Sequence, residues 1–460
     1  MAPALPDGLL LAFYGDDFTG SSAVMEVLTF AGLPTVMFVA PPSETDLARF
    51  VGRRAIGIAS VARAQSPAWM DENLPPAFEA LAALNASVTH YKICSTLDSS
   101  PEIGSIGRAV DIGIPIFGRR PAAAAWQPFM VAAPPLRRYQ AFGNLFAGLG
   151  EDTYRLDRHP VMRDHPVTPM HEADVRLHLA AQTGRGIGLV DFAAMKSGKG
   201  EAQFRDAVAA NRTIVALDAI DDETLRWCGA LMWENRGAGL FAIGSQGIEY
   251  ALVEYWRAAG LLPPPAAEQG AAVEQIIAMS GSVSSVTAAQ IDWAEQHGFD
   301  VILVDPAAVI HDGHSRAAID AALALAQQTL SAGRSPLIVT ARRPRDPSAA
   351  RLRAAAANVQ LGPAPLGRRI GEALGQIARQ LVAAGGPRRL VVSGGDTSGF
   401  AVGAMGILAL EALVPLAPGA PLCRTFSHEP AVDGLEIALK GGQMGGPAFF
   451  GSVRAGRAIS

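Results

Sequence analysis

The chain predicts an α/β fold of two domains, each a mostly parallel sheet flanked by helices, and three observations carry that expectation. Short apolar runs alternate with helix-like stretches along nearly the whole length, which implies strands covered on both faces. At 460 residues the chain exceeds what one core ordinarily holds. A stiff proline run, Leu261-Leu262-Pro263-Pro264-Pro265, interrupts the alternation, which then restarts. The domain boundary is therefore set at that run, with residues 1–262 before it and 263–460 after it.

In the first half, Leu9-Leu10-Leu11-Ala12-Phe13 reads as a strand running into Gly15-Asp16-Asp17-Phe18-Thr19-Gly20 and a helix. Runs at 34–39, 55–59, 129–132, 187–190 and 213–217 read as further buried strands, with helical patterns at 174–182 and 201–211. The segment 134–169 is irregular, polar and rich in Arg and His, either a substrate-side excursion or a long surface connection. After the proline run, 276–280 reads as a strand whose Gly281-Ser282-Val283-Ser284 turn leads to a helix from about Thr287. Strands at 301–304, 337–340, 390–392 and 435–439 follow, with Ala-rich helices between them.

Composition excludes several classes. Hydrophobic residues make up 49% of the chain, so it is globular and not disordered. The net charge is −5 and no basic run is longer than the group Arg342-Arg343 with Arg345, so neither a nucleic acid nor a membrane is expected as partner. Three scattered cysteines, Cys94, Cys228 and Cys423, form neither a disulfide framework nor a zinc motif. The N-terminus has no basic region ahead of its apolar run, and no apolar stretch is long enough to span a bilayer. A cytoplasmic protein is the expectation. None of the nine histidines has zinc-type spacing, and His159, His165 and His171 are expected to face solvent.

Near the C-terminus, Leu390-Val391-Val392 breaks into Ser393-Gly394-Gly395-Asp396-Thr397 ahead of a helix. Glycines permit close backbone approach, and the helix start offers unpaired N–H groups and a positive dipole end to an anion. A tight turn that binds nothing would also use these glycines. Neither a Walker motif nor a Gly-x-Gly-x-x-Gly fingerprint is present. Lys440-Gly441-Gly442 supplies a second such loop, with Lys440 as a mobile cation for phosphate. Ser282 and Ser284 supply hydroxyls at a third strand end. Three such turns at the carboxyl edge of one sheet are where open α/β sheets bind ligands.

At the other end of the chain, Asp16 and Asp17 beside Gly20 can hold a hydroxylated substrate or act as base, although a single Asp there would also cap a helix. The cluster Tyr91-Lys92-Ile93-Cys94-Ser95-Thr96-Leu97-Asp98-Ser99-Ser100 offers Lys92 to an anion and its hydroxyls to a polyol; it also reads as a helix entry. Cys94 reads as a small buried residue and not a nucleophile. An anion turn at one end and paired carboxylates at the other point to phosphoryl transfer, with the active site in the interdomain cleft.

These motifs, in this order, resemble the four-carbon acid sugar kinase family. The likeness runs from Asp16-Asp17-Phe18-Thr19-Gly20 through Tyr91-Lys92, Ser95-Thr96 and Thr168-Pro169 with Glu172, Asp174 and Gln182. It continues with Gly281-Ser282, Ser284, Thr287 and Gln290, then Gly394-Gly395-Asp396-Thr397 and Lys440-Gly441-Gly442. The resemblance implies an N-terminal sugar-acid-binding domain, a C-terminal ATP-binding domain, and transfer of the γ-phosphoryl to a hydroxyl of a threonate, erythronate or 3-oxo-tetronate. It implies Mg²⁺-ATP on Ser282, Ser284, Gly394, Gly395, Asp396, Thr397, Gly441 and Gly442, with the metal ligands left open. The acid would lie among Asp16, Asp17, Arg63, Lys92 and Ser95. Asp17 is the first choice of base and Asp396 its rival.

Many members carry Lys-Ile-Asp-Ser-Thr-Leu-Arg-Gly where this chain has Lys92-Ile93-Cys94-Ser95-Thr96-Leu97-Asp98-Ser99. If that Arg holds the substrate carboxylate, this chain must use another, Arg63 or Arg138. A branched acid such as 3-oxo-isoapionate is then an alternative substrate. The other class of reading is a regulator that binds nucleotide or sugar acid without chemistry. A homodimer is the base-rate expectation.

Overall fold

The computed structural model describes residues 4–165, 167–264, 270–282, 284–310, 315–343, 346–358 and 363–459. Pro265, at the end of the proline run, and Arg345 lie outside the described residues. The chain divides into two units, Met1–Thr35 with Ser43–Ala266, and Val36–Pro42 with Ala267–Ser460.

In chain order the first half contains β1 (Leu11–Gly15), β2 (Thr35–Phe38), β3 (Ala55–Ala59), β4 (Val88–Lys92) and β5 (Gln127–Met130). It continues with β6 (Arg138–Ala141), β7 (Asn144–Leu149), β8 (Asp152–Arg155), β9 (Ile187–Val190), β10 (Ile214–Leu217) and β11 (Leu240–Gly244). The first unit carries a parallel sheet in the order β3-β1-β4-β11-β5-β10-β9. Every residue of β1, β3, β4 and β11 is buried; β1, β3 and β11 are continuous apolar runs, as burial between helical layers requires, whereas β4 carries Thr89, His90 and Lys92. Leu74, Phe78 and Leu81 of the helix Pro67–Ala83 and Val110 and Ile116 of the helix Ile106–Phe117 pack on Tyr14, Tyr91 and Phe241. Each such large apolar side chain contributes about 1.5–3 kcal/mol by leaving water.

The segment expected to be irregular holds order. β6, β7 and β8 form an antiparallel three-stranded sheet within 138–155. His159, expected at the surface, is buried, its Nδ1 accepting from Val161 N at 3.2 Å.

The second unit contains β12 (Ile277–Ser280), β13 (Phe299–Leu303), β14 (Ser335–Val339), β15 (Arg389–Ser393), β16 (Ile407–Val414), β17 (Leu422–Ser427) and β18 (Glu436–Lys440). The order β13-β14-β12-β15-β18 is parallel. β17 and β16 then continue antiparallel, and β16 pairs with Met37 and Phe38 of β2. Ile291 and Ala294 of the helix Ser285–Gln296 and Phe449, Phe450 and Val453 near the C-terminus cover Ala278, Leu337, Val391 and Ala438. Among the described residues no helix is long and apolar enough to cross a membrane. All three cysteines are free.

Candidate active site

In the first unit the chemistry gathers at the carboxyl ends of β1, β3 and β4, where Gly15 stands in register with Ala59 and Lys92. The loop after β3 is tied down by Ser60 Oγ donating to Gly15 O at 2.8 Å and by Arg63 N donating to Asp16 O at 2.9 Å. These bonds aim Arg63 at the carboxylates. Its Nε donates to Asp16 Oδ2 at 3.2 Å, and its Nη2 to Asp16 Oδ1 at 2.6 Å and Asp17 Oδ1 at 2.7 Å. Asp16 is 2% exposed, and burial raises its carboxyl against the opposing pull of Arg63.

Asp17 caps the helix Phe18–Phe30, its Oδ1 accepting from Gly20 N at 2.9 Å. Both fixed bonds fall on Oδ1. Oδ2 has no partner among the described residues and is open to a proton. The capping and functional readings of this carboxylate are therefore compatible.

Lys92 is 1% exposed. Its Nζ donates to Ile93 O at 2.6 Å and forms no ion pair among the described residues. A Cβ on Gly20 would lie 2.7 Å from that Nζ, so the ammonium stands against the first turn of the Asp17-capped helix. The glycine is there to admit it.

Arg138, on β6, shares a charged neighbour, Asp98, with Cys94. The Cys94 thiol feels the charges of Asp98, Arg63 and Lys92, and Arg138 feels the charges of Arg137 and Asp98. Burial first, then Asp98, pushes the thiol up to about 11, so it is protonated near neutrality and a poor nucleophile. Arg138 differs from Arg63 in forming no ion pair with a carboxylate among the described residues. Its Nη1 makes only long contacts, to Leu136 O, Arg137 O and Gly148 O at 3.2, 3.3 and 3.4 Å. Its Nε is buried with no acceptor. Burial lowers its affinity for the proton. Ser95 is half-buried, and its hydroxyl has no partner among the described residues.

In the second unit three turns meet at the carboxyl ends of adjacent strands, where Ser280, Ser393 and Lys440 stand in register. Ser284 caps the helix Ser285–Gln296 by accepting from Thr287 N at 3.0 Å, and its Oγ also donates to Gly442 O. Thr287 Oγ1 donates to Gly442 O at 3.0 Å and lies 3.1 Å from Ser282 Oγ, joining the Ser282 turn to the glycine loop. Gly394, with φ 130°, precedes the helix Gly395–Ala404, and a Cβ on it would lie 2.9 Å from Thr397 Oγ1. The Asp396 side chain lies outside the described residues. Lys440 is the last residue of β18, not the first of a mobile loop, and is fully buried. Its Nζ contacts Thr287 Oγ1 at 3.5 Å and Gly441 O at 3.2 Å, and burial lowers it to about 8.

The predicted residues thus fall into two groups, Asp16, Asp17, Arg63, Lys92, Ser95 and Arg138 in one unit, and Ser282, Ser284, Gly394, Gly395, Asp396, Thr397, Gly441 and Gly442 in the other. Thr287 and Lys440 stand at the middle of the second group. Their signal was their placement at a helix start and a strand end.

A family model described as a sugar-binding N-terminal domain matches residues 11–252, and one described as a nucleotide-binding C-terminal domain matches 277–450. The chain is 47% identical over 457 residues to a 3-oxo-isoapionate kinase of Paraburkholderia graminis, covering 99% of this chain and 96% of that protein. It is 32% identical over 454 residues to a 3-oxo-tetronate kinase of Methylobacterium radiotolerans, covering 96% and 98%. A crystal structure from Salmonella typhimurium LT2 shares the fold at a TM-score of 0.77 and 23% identity, covering 97% of this chain and 98% of that one. These full-length likenesses to kinases disfavour a regulator without chemistry. The chain belongs to the four-carbon acid sugar kinase family and is a nucleotide-using phosphotransferase with an alcohol group as acceptor.

Proposed function

We propose that this kinase phosphorylates a hydroxyl of 3-oxo-isoapionate, or of a closely similar branched 3-oxo acid, with Mg²⁺-ATP as donor. The choice of acid rests on the relative that is 47% identical, against 32% for a 3-oxo-tetronate kinase. The observation that supports the acid subsite is Arg138, a half-buried cation with an unpaired Nε and no carboxylate partner among the described residues. A substrate carboxylate supplies what it lacks. Arg63, the other candidate, already serves Asp16 and Asp17.

In this reading Arg138 binds the carboxylate, while Lys92 and Ser95 hold the oxygens of the chain. Asp17 Oδ2 takes the proton of the acceptor hydroxyl, and Arg63 fixes the orientation of that carboxylate through Oδ1. Asp16 keeps Arg63 in place and takes no proton from substrate. In the second unit the backbone of the 394–397 turn, Gly441, Gly442, Ser282 and Ser284 surrounds the phosphates, with Lys440 as the counter-charge. Gly394 and Gly442 lie so close to Thr397 and Ser282 that a Cβ would clash, and such close-packed glycine turns at a helix start suit a phosphate chain. Bound ATP supplies the γ-phosphoryl, and Mg²⁺ neutralises its charge. Mg²⁺ in such enzymes is held by phosphate oxygens with one or two carboxylates, so no all-protein cage is needed. Asp396, named above as the rival base, is the carboxylate proposed for it. Homodimerisation is kept on base rates alone.

An ADP-release assay across 3-oxo-isoapionate, 3-oxo-tetronates and the unoxidised tetronates tests the reading. The highest kcat/KM is expected with 3-oxo-isoapionate, and phosphorus NMR should show a phosphomonoester. A clear preference for a straight four-carbon acid would overturn the substrate assignment.

A further inference from the structure

Leu97 is a fully buried leucine with φ 56°. A bulky residue in the left-handed region is an outlier that lasts only where its surroundings over-determine it. The turn is closed by Leu97 N donating to Cys94 O at 3.1 Å. The Leu97 carbonyl is held by Ser99 Oγ, donating at 3.0 Å.

A hydroxyl has one proton to give and two lone pairs to fill. Ser99 gives its proton to Leu97 O, so its other contacts must be donors. Gln182 Nε2 donates to Ser99 Oγ at 3.1 Å, and His178 Nε2 lies 2.8 Å away. His178 therefore carries its proton on Nε2. Burial lowers its pKa to about 4, which keeps the ring neutral in the working range. Gln182 Oε1 accepts from Gly107 N at 3.2 Å, in the first turn of the helix Ile106–Phe117. Ser99 is thus saturated, and its partners anchor the loop to a neighbouring helix. Downstream of this anchor, Thr96 Oγ1 donates to Asp98 Oδ1 at 2.8 Å and lies 3.0 Å from Cys94 Sγ. The charge of Asp98 acts on Arg138.

We infer that His178 and Gln182 are positioning residues for the acid-binding loop: through Ser99 they hold Leu97 in its strained conformation and so set where Cys94, Ser95 and Asp98 stand relative to Arg138. This rests on the acid-kinase reading above. The pair acts through Ser99 and the Leu97 carbonyl.

The test is steady-state kinetics on His178→Phe, His178→Gln and Gln182→Leu, with nucleotide affinity by calorimetry and folding by circular dichroism. His178→Phe and Gln182→Leu should each raise KM for the acid about tenfold, the size of one lost hydrogen bond, with a smaller change in kcat and unchanged nucleotide affinity. His178→Gln, whose amide can still donate to Ser99, should recover most of the loss. Folded variants with wild-type KM, or equal losses in acid and nucleotide binding, would overturn the positioning role. Failure of both variants to fold would assign the pair to the fold itself and also overturn it. A wild-type enzyme that releases ADP with no acid would instead sink the kinase reading, a different result from an active wild type with unaltered variants.

Discussion

Arg63 grips Asp16 with two nitrogens, Nε at 3.2 Å and Nη2 at 2.6 Å, and only then reaches Asp17. The buried carboxylate is thus the anchor and the more exposed one is what the anchor orients. A lysine at 63 is a point charge that cannot make this fork. Arg63→Lys should lower kcat about 10²-fold, as small misplacements of reacting groups do. Nucleotide affinity should not change. Stopped-flow ADP release beside calorimetry checks both, and an undiminished kcat would separate Arg63 from the chemistry.

Lys440 makes nucleotide binding depend on pH with a definite sign. Burial lowers its folded pKa to about 8 from 10.5. Phosphate needs the ammonium, so affinity should fall as pH rises through about 8, and binding above that pH should take up a proton. The same shift acts oppositely on stability. Between about 8 and 10.5 the unfolded chain holds the proton and the folded chain does not, so this group's contribution to stability rises with pH there. Calorimetry in buffers of different ionisation enthalpy reads the uptake. Lys440→Met should abolish it and weaken binding about tenfold or more. Proton uptake that persists in that variant would place the titrating group elsewhere.

The close packing of Gly442 gives a steric prediction. A methyl at 442 would run into Ser282 Oγ, which is itself bonded to Thr287. Gly442→Ala should weaken nucleotide binding by at least about tenfold, because two or more bonds around the phosphates shift together. Acid binding, measured without nucleotide, should be untouched. A variant that binds ATP normally would remove the 441–442 loop from the phosphate site.

His90 and Glu249 form a buried hydrogen-bonded pair. His90 Nε2 lies 3.0 Å from Gly244 O, which only accepts, so Nε2 carries hydrogen. Nδ1 lies 2.6 Å from Glu249 Oε1, and neither side chain is exposed. Glu249→Leu leaves the imidazole unpaired and should cost about 3–5 kcal/mol. Glu249→Gln can still bond to Nδ1 and should cost much less. Urea unfolding of the full chain gives both values; equal costs would show that packing, not the pair, matters at this position.

Much of this was legible in the sequence because strands buried on both faces leave continuous apolar runs, and those runs end in Gly15, Gly281 and Gly394. Arg138-Tyr139-Gln140-Ala141 has no such run, and the sheet it begins stayed hidden inside a polar segment. The β16–β17 ladder was missed for a related reason, since Glu411 and Arg424 interrupt its apolar pattern and face each other across the strands. The carboxylates and glycine turns of the site were readable as motifs. That Arg63 is engaged and Arg138 is not could not be read, because ion pairing between residues 46 and 47 positions apart is a product of the fold. The burial of His159 was hidden for the same reason.

The central claim is that Asp17 accepts the substrate proton, and single-turnover phosphoryl transfer in Asp17→Asn tests it most directly. With acid and Mg²⁺-ATP both saturating, quenched-flow measurement should show transfer slowed by at least about 10²-fold, the lower range for a lost general base. Both ligands should still bind within a few-fold of wild type. Transfer at the wild-type rate from a normally formed ternary complex would contradict the account.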